Sequence, residues 1–206
     1  AQALGYAEAD PTADVDGFDA ASKIAILGSM GFRTRITTDD VYMQGIRSIT
    51  ATDIEIAEEL GKTIKLLAIA RATDTGIDVR VHPTMIPNDH PLASVDGAFN
   101  AIVVEGEAAG RLMFYGQGAG GAPTASAVLS DVVAAAAHRV HGGQAPRESS
   151  YASLPVLGPE AAVTRYQIQL RSDDAVGSLA AMASVFAENE VSINSVRQSA
   201  YVTSDG

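Results

Sequence analysis

The chain has 206 residues, 47% of them hydrophobic and 19% charged, enough for one or two domains with a true core. Its net charge of −11 argues against nucleic acid or an anionic membrane as a partner, and no apolar run reaches the roughly 18 residues of a membrane span. With no cysteine, disulfides and thiolate metal sites are excluded, a composition that suits a reducing, cytoplasmic compartment.

Ala1-Gln2-Ala3-Leu4-Gly5 reads as the end of a helix stopped by glycine, and Asp205-Gly206 follows an apparent strand, so both ends are expected to be cuts in a longer chain. Between Glu8 and Asp19 the chain packs five carboxylates (Glu8, Asp10, Asp14, Asp16, Asp19) into twelve residues, then places Lys23 four residues after the last acid. Asp16 is expected to cap a helix over residues 17–30, with Asp19 as a capping-box partner and Ala20, Ile24 and Leu27 as its buried face. Thr37 to Tyr42 reads as a capped turn, and residues 54–60 as a helix burying Ile54, Ala57 and Leu60 and ending at Gly61.

The period then changes. Residues 63–72, 77–83, 98–105 and 108–115 are predicted strands of one mixed sheet, with Asp96-Gly97 and Glu105-Gly106-Glu107 as turns. Pro83, Pro87 and Pro91 mark an irregular loop, and residues 124–140 form an Ala/Val helix. The Gly-, Pro- and Ser-rich stretch 143–161 reads as a linker between a first domain (1–142) and a second (162–206). In the second, strands at 164–171 and 191–198 flank an amphipathic helix at 176–190, a β-α-β order that reads as half of a ferredoxin-like module. The fold class is therefore α+β: a mixed open sheet with helices on one face, followed by a partial ferredoxin-like unit.

Three readings of the acidic stretch stand side by side. It fits a solvated loop followed by an i,i+4 Asp19–Lys23 helix pair worth a few tenths of a kcal/mol. An EF-hand is rejected, because the position needing glutamate is Ala25 and the required glycine is Asp19. The third reading is a site for a cationic substrate group, with carboxylates holding an ammonium while the lysine relays a proton.

Gly116-Gln117-Gly118-Ala119-Gly120-Gly121 matches G-x-G-x-x-G, but no second strand ending in an acid follows about 20 residues on. It fits either a structural turn or a glycine turn that lets backbone approach a ligand at a helix start. His82, His90, His138 and His141 make no H-E-x-x-H pattern, G-x-S-x-G is absent, and no metal site is expected. Asp173 to Leu179 (DDAVGSL) reads as a tight turn with a helix cap, or as a small-ligand site at a helix N-terminus.

Three ordered blocks carry a family resemblance: LGYAEADPTADVDGFDAASKIAIL, VHPTMIPNDHPLASVDGAFNAI and YGQGAGGAPTASAVLSDVV. Together they resemble the C-terminal part of a homoserine dehydrogenase over most of residues 1–140, and YQIQLRSDDAVGSLAAMASVFAENEVSINSVRQ resembles the first half of an ACT regulatory domain. The resemblance implies reduction of L-aspartate 4-semialdehyde to L-homoserine with NADPH or NADH, in threonine and methionine biosynthesis. It implies that Glu8 and Asp14 bind the substrate's amino group beside Tyr6, and that Asp19 and Lys23 form the acid–lysine pair that handles the proton. It places Gly116, Gly118, Gly120 and Thr124 near the cofactor and Asp174, Gly177 and Asn194 at an effector site, threonine being the implied effector. It further implies a homodimer or tetramer with the sheet of residues 63–115 at its centre. The family's nucleotide-binding domain and its Asn-Gly-Thr-Thr-Asn segment are not in this sequence, so the chain alone is expected to be inactive. A different class remains open, an amino-acid-sensing and dimerisation module without chemistry.

Overall fold

A computed structural model describes residues 10–118, 120–143, 152–170, 172 and 175–198. The chain divides into two compact units, Ala1–Val163 and Thr164–Gly206.

In the first unit a single-turn helix α1 (Thr12–Val15) leads into α2 (Phe18–Phe32). A 3₁₀ turn (Thr38–Asp40), the short strand β1 (Tyr42–Met43) and helix α3 (Ala51–Glu59) follow. Two long strands come next, β2 (Lys62–Ala72) and β3 (Ile77–Pro87). They pair antiparallel over their whole length, from Lys62 against Pro87 to Ala72 against Ile77. The other edge of β3 carries β1 in parallel (Tyr42 opposite Arg80) and a second short strand, β6 (Val156–Leu157), also parallel (Val156 opposite Ile77).

Strand alternation sends Ile77, Val79 and Val81 to one face of β3, where all three are essentially removed from solvent. Ala21, Ile24 and Ala25 of α2 complete the core with Ile36 and Val41, and Leu66, Ala68 and Ala70 of β2 pack around them. Small residues allow this close approach: a side-chain carbon on Gly28 would lie 2.9 Å from Ile36 Cδ1. The buried face of α2 is thus Ala21-Ile24-Ala25-Gly28, whereas Ala20 is only half-buried and Leu27 exposed. Nearly every position of this helix is apolar or small, so its pattern leaves the rotation about the axis loosely specified, and contact with the sheet decides it. In α3 only Ala57 of the three expected residues is buried.

The opposite face of β3 holds Asp78 and Arg80, also buried. Their charges face each other in an ion pair, and Arg80 Nε donates to His82 Nε2 at 3.0 Å. A ring nitrogen that accepts carries no proton, so His82 Nδ1 donates to the Pro83 carbonyl at 2.9 Å. Pro83 and Pro87, opposite Leu66 and Lys62 of β2, lie inside β3 and not in a loop.

Two expectations need larger correction. The strands of residues 63–115 do not make one sheet: β4 (Phe99–Gly106) and β5 (Gly110–Gln117) form a separate antiparallel hairpin, with Phe99 stacked on Tyr115 at 4.9 Å. The expected linker is also not free of the first unit along its length. Ala152 N donates to Arg33 O, Leu154 N to Thr34 Oγ1 and Ile77 N to Pro155 O, and β6 then joins the sheet. Gly, Pro and Ser suit an edge strand with tight entry as well as they suit a tether. Helix α4 (Gly121–His141) extends the predicted helix by a few residues at its start.

In the second unit, helix α5 (Ser178–Glu188) forms behind Gly177, whose φ of 93° is left-handed. It closes in a Schellman arrangement, Val191 N donating to Phe186 O and Glu190 N to Ala187 O. The expected flanking strands do not form among the described residues 164–170 and 191–198. Alternating apolar residues define a strand only when a neighbour accepts and donates its ladder bonds, and no such pairing is present there.

Both short caps are carboxylate-locked. Asp40 accepts from the N–H and hydroxyl of Thr37 (2.8 and 2.6 Å), and Asp53 from those of Thr50 (2.8 and 2.7 Å). These bonds, the hydroxyl's first and the backbone's second, hold both carboxyls below the ordinary 3.8. A depressed carboxyl adds stability above its ordinary value and loses it as pH falls through the folded value. Acidification below pH 3.8 should therefore loosen both turns, and Thr50→Val should move the Asp53 titration, followed by carboxyl NMR, back toward that value. In the core, Ile77→Ala should lower unfolding free energy by about 2–5 kcal/mol, read from urea denaturation.

Candidate active site in the acidic loop

The acidic loop is built on α1 and the start of α2. Gly17 joins them with φ 89°, a left-handed conformation that suits glycine, and docks the joint on the sheet: a side-chain carbon there would lie 3.1 Å from Val81 Cγ1 and 3.4 Å from Met43 Cγ. Gly17, not Asp16, is the cap residue of α2, and it offers no side chain to cap with. Asp16 is drawn away by Arg47, whose Nε and Nη2 donate to its two oxygens at 2.5 and 3.2 Å.

Each described carboxylate of the loop can now be sorted by its partner. Asp10 accepts from the hydroxyl of Thr12 (2.6 Å) and from its N–H (3.0 Å), and these bonds hold its carboxyl below the usual range. Asp16 is neutralised by Arg47. Asp19 Oδ2 accepts from Lys23 Nζ at 2.6 Å across one helical turn, both side chains about half exposed. An ion pair so open to water contributes only about 0.3–0.5 kcal/mol to stability. Asp14 alone among these four is exposed without a hydrogen-bonding or ionic side-chain partner. Among its described residues the loop therefore presents one uncommitted carboxylate and one acid-held ammonium. Beyond Lys23 the same exposed side of α2 continues with Ile26 and Met30, 62% and 65% exposed, so apolar surface adjoins the pair.

Tyr6 and Glu8 lie outside the described residues. Gly116 is the penultimate residue of β5, Gly118 follows the strand, and Gly120, with φ 115°, stands at the start of α4, where Thr124 Oγ1 donates to Gly120 O at 2.9 Å. These glycines do different work. A side chain on Gly118 would collide with Asn100, so that glycine is explained by packing. Gly116 and Gly121 face open space and leave bare backbone available to an incoming group. No hydrogen bond or ion pair joins this turn to the acidic loop among the described residues. In the second unit, Gly177 caps α5 and Asn194 is exposed beyond it, while Asp174 lies outside the described residues. Arg47 went unnoticed in sequence because nothing in Gly45-Ile46-Arg47 marks it as a partner of an acid 31 residues earlier.

The family model described as Homoserine dehydrogenase matches residues 1–133. A homoserine dehydrogenase of Corynebacterium glutamicum is 60% identical over 200 residues, covering 95% of this chain and 45% of that protein. The Mycobacterium tuberculosis homoserine dehydrogenase is 57% identical over 211 residues, covering 100% and 48%. The crystal structure of a homoserine dehydrogenase from Thiobacillus denitrificans superposes with a TM-score of 0.83 at 39% identity, over 96% of this chain and 47% of that one. The chain thus spans about half the length of the relatives it matches.

The two features of the loop separate in a denaturation experiment. Asp14→Asn should change unfolding free energy by less than about 0.5 kcal/mol, because no contact is lost. Gly17→Ala should cost about 1–2 kcal/mol for the left-handed backbone alone.

Proposed function

The chain belongs to the homoserine dehydrogenase family, and we propose that it supplies the substrate-binding and proton-handling part of an enzyme that interconverts L-aspartate 4-semialdehyde and L-homoserine. The observation that carries this reading is the division of the acidic loop, which leaves Asp14 uncommitted on the segment that leads into the helix bearing the Asp19–Lys23 pair. A substrate with an ammonium at one end and a carbonyl or hydroxyl at the other needs both features: a free carboxylate for its cation and a proton donor for its oxygen.

In this reading Asp14, with Glu8, binds the substrate ammonium. Asp19 orients Lys23 through the hydrogen bond it accepts from Nζ. As the aldehyde carbon is reduced, its oxygen takes a proton from Lys23 Nζ; in the oxidative direction the hydroxyl returns it. Bound NADPH or NADH supplies the hydride. The chain's own contribution toward that group is the open backbone at Gly116 and Gly121 and the start of α4, which suit close approach by a polar ligand. The exposed apolar side chains Phe114, Tyr115, Leu129 and Val133 support a homo-oligomer or further covering chain. The unit around α5 is read as regulatory, with threonine as its effector.

In the full-length enzyme, Lys23→Ala should reduce kcat for homoserine oxidation by about 10²–10⁴-fold with little change in KM. Near-parental turnover in that variant would remove Lys23 from the mechanism.

A further inference from the structure

Helix α1 carries Asp14 yet has little means of holding itself in place. It is four residues long, and a single turn is far below the length at which a helix is stable alone. None of its residues is buried, so packing does not fix it either. What holds it is the loop after β1. Gln44 N donates to Val81 O at 2.8 Å, anchoring that loop to β3, and Ile46 N donates to Val15 O at 2.9 Å. Gly45 presses so close that a side-chain carbon would sit 2.6 Å from Asp16 Cα.

Arg47 completes the clasp. One guanidinium donates to both oxygens of Asp16, just past the end of α1, and reaches Thr12 Oγ1, at its start, at 3.4 Å. Asp14 lies between the two gripped positions. Arg47 also takes Asp16 out of competition for a cation, because its charge is already matched.

We propose that Arg47 is a positioning residue for the substrate: by clamping Asp16 and Thr12 it holds Asp14 where the ammonium is bound. This rests on the assignment of the acidic loop to substrate binding. The residue does not reach the proton-handling pair, which sits on α2 and is located independently by Gly17 and the core contacts of that helix. Arg47 and Asp16 are 59% and 30% exposed, so the clasp governs local geometry more than global stability.

The test is steady-state kinetics of homoserine oxidation by the full-length enzyme. Arg47→Ala should raise KM for homoserine about tenfold while kcat stays within about threefold, the signature of lost binding geometry with intact chemistry. Arg47→Lys, which keeps the charge without the two-pronged grip, should recover only part of that loss. Asp16→Asn should reproduce the KM increase, and the Asp16→Asn/Arg47→Ala double variant should be no worse than Arg47→Ala alone. Asp16→Asn, which keeps the side chain's shape, decides the matter should Arg47→Ala fold poorly. A KM within twofold of the parent in either single variant, or additive effects in the double, overturns the clasp. Failure of the underlying reading looks different: a parent that does not oxidise homoserine, or a Lys23→Ala enzyme with parental turnover, overturns the function and the clasp with it.

Discussion

The core of the first unit is built around β3. This strand is hydrogen-bonded along one edge to β2 for all of its length and along the other to two short parallel strands, β1 and β6. A strand paired on both edges and covered on both faces must satisfy every polar group it carries from within the protein. Ile77, Val79 and Val81 meet this by being apolar. Asp78, Arg80 and His82 meet it by bonding to one another along the strand. Because β3 is so constrained, it is a fixed surface on which the mobile-sized parts, a one-turn helix and a loop, can be located with accuracy.

The acidic loop illustrates how charge density becomes chemistry. Like charges within twelve residues repel, and water would screen them in an unstructured loop. Here the fold assigns most of them a separate local partner: a threonine for Asp10, an arginine for Asp16, a lysine for Asp19. Among the described carboxylates, the attraction offered to an external cation is thereby concentrated on Asp14. The stabilities of these exposed pairs are small, and their use lies in sorting which carboxylate is free.

Much of this was legible in the sequence where local physics dominates. The Asp19–Lys23 pair follows from helical spacing. Residues 63–72 and 77–83 announce strands by their apolar and β-branched content, although β3 runs on to Pro87. What stayed hidden depends on distant partners. The rotation of α2 is set by the sheet it meets, since its own pattern fits more than one face. The alternation of Asp78, Arg80 and His82 shows that they share a face but not that the face is covered. The site was half legible for the same reason: the carboxylates could be enumerated, but that Arg47 would claim Asp16 required the chain to fold back on itself. The segments flanking α5 show the converse, an alternating pattern with no ladder to complete it.

The strand β6 has a consequence for the order in which this unit is assembled. It closes against Ile77 and Asp78, and the residues just before it bind the end of α2 at Arg33 and Thr34, which precede them by more than a hundred positions. Such contacts raise the mean sequence separation of the fold and slow its formation. During synthesis, the exposed upper edge of β3 has to wait for residues near 157 to leave the ribosome before it is paired. A nascent chain paused earlier would display an unpaired stretch of its most deeply buried strand, the part of the molecule with most to gain from a chaperone.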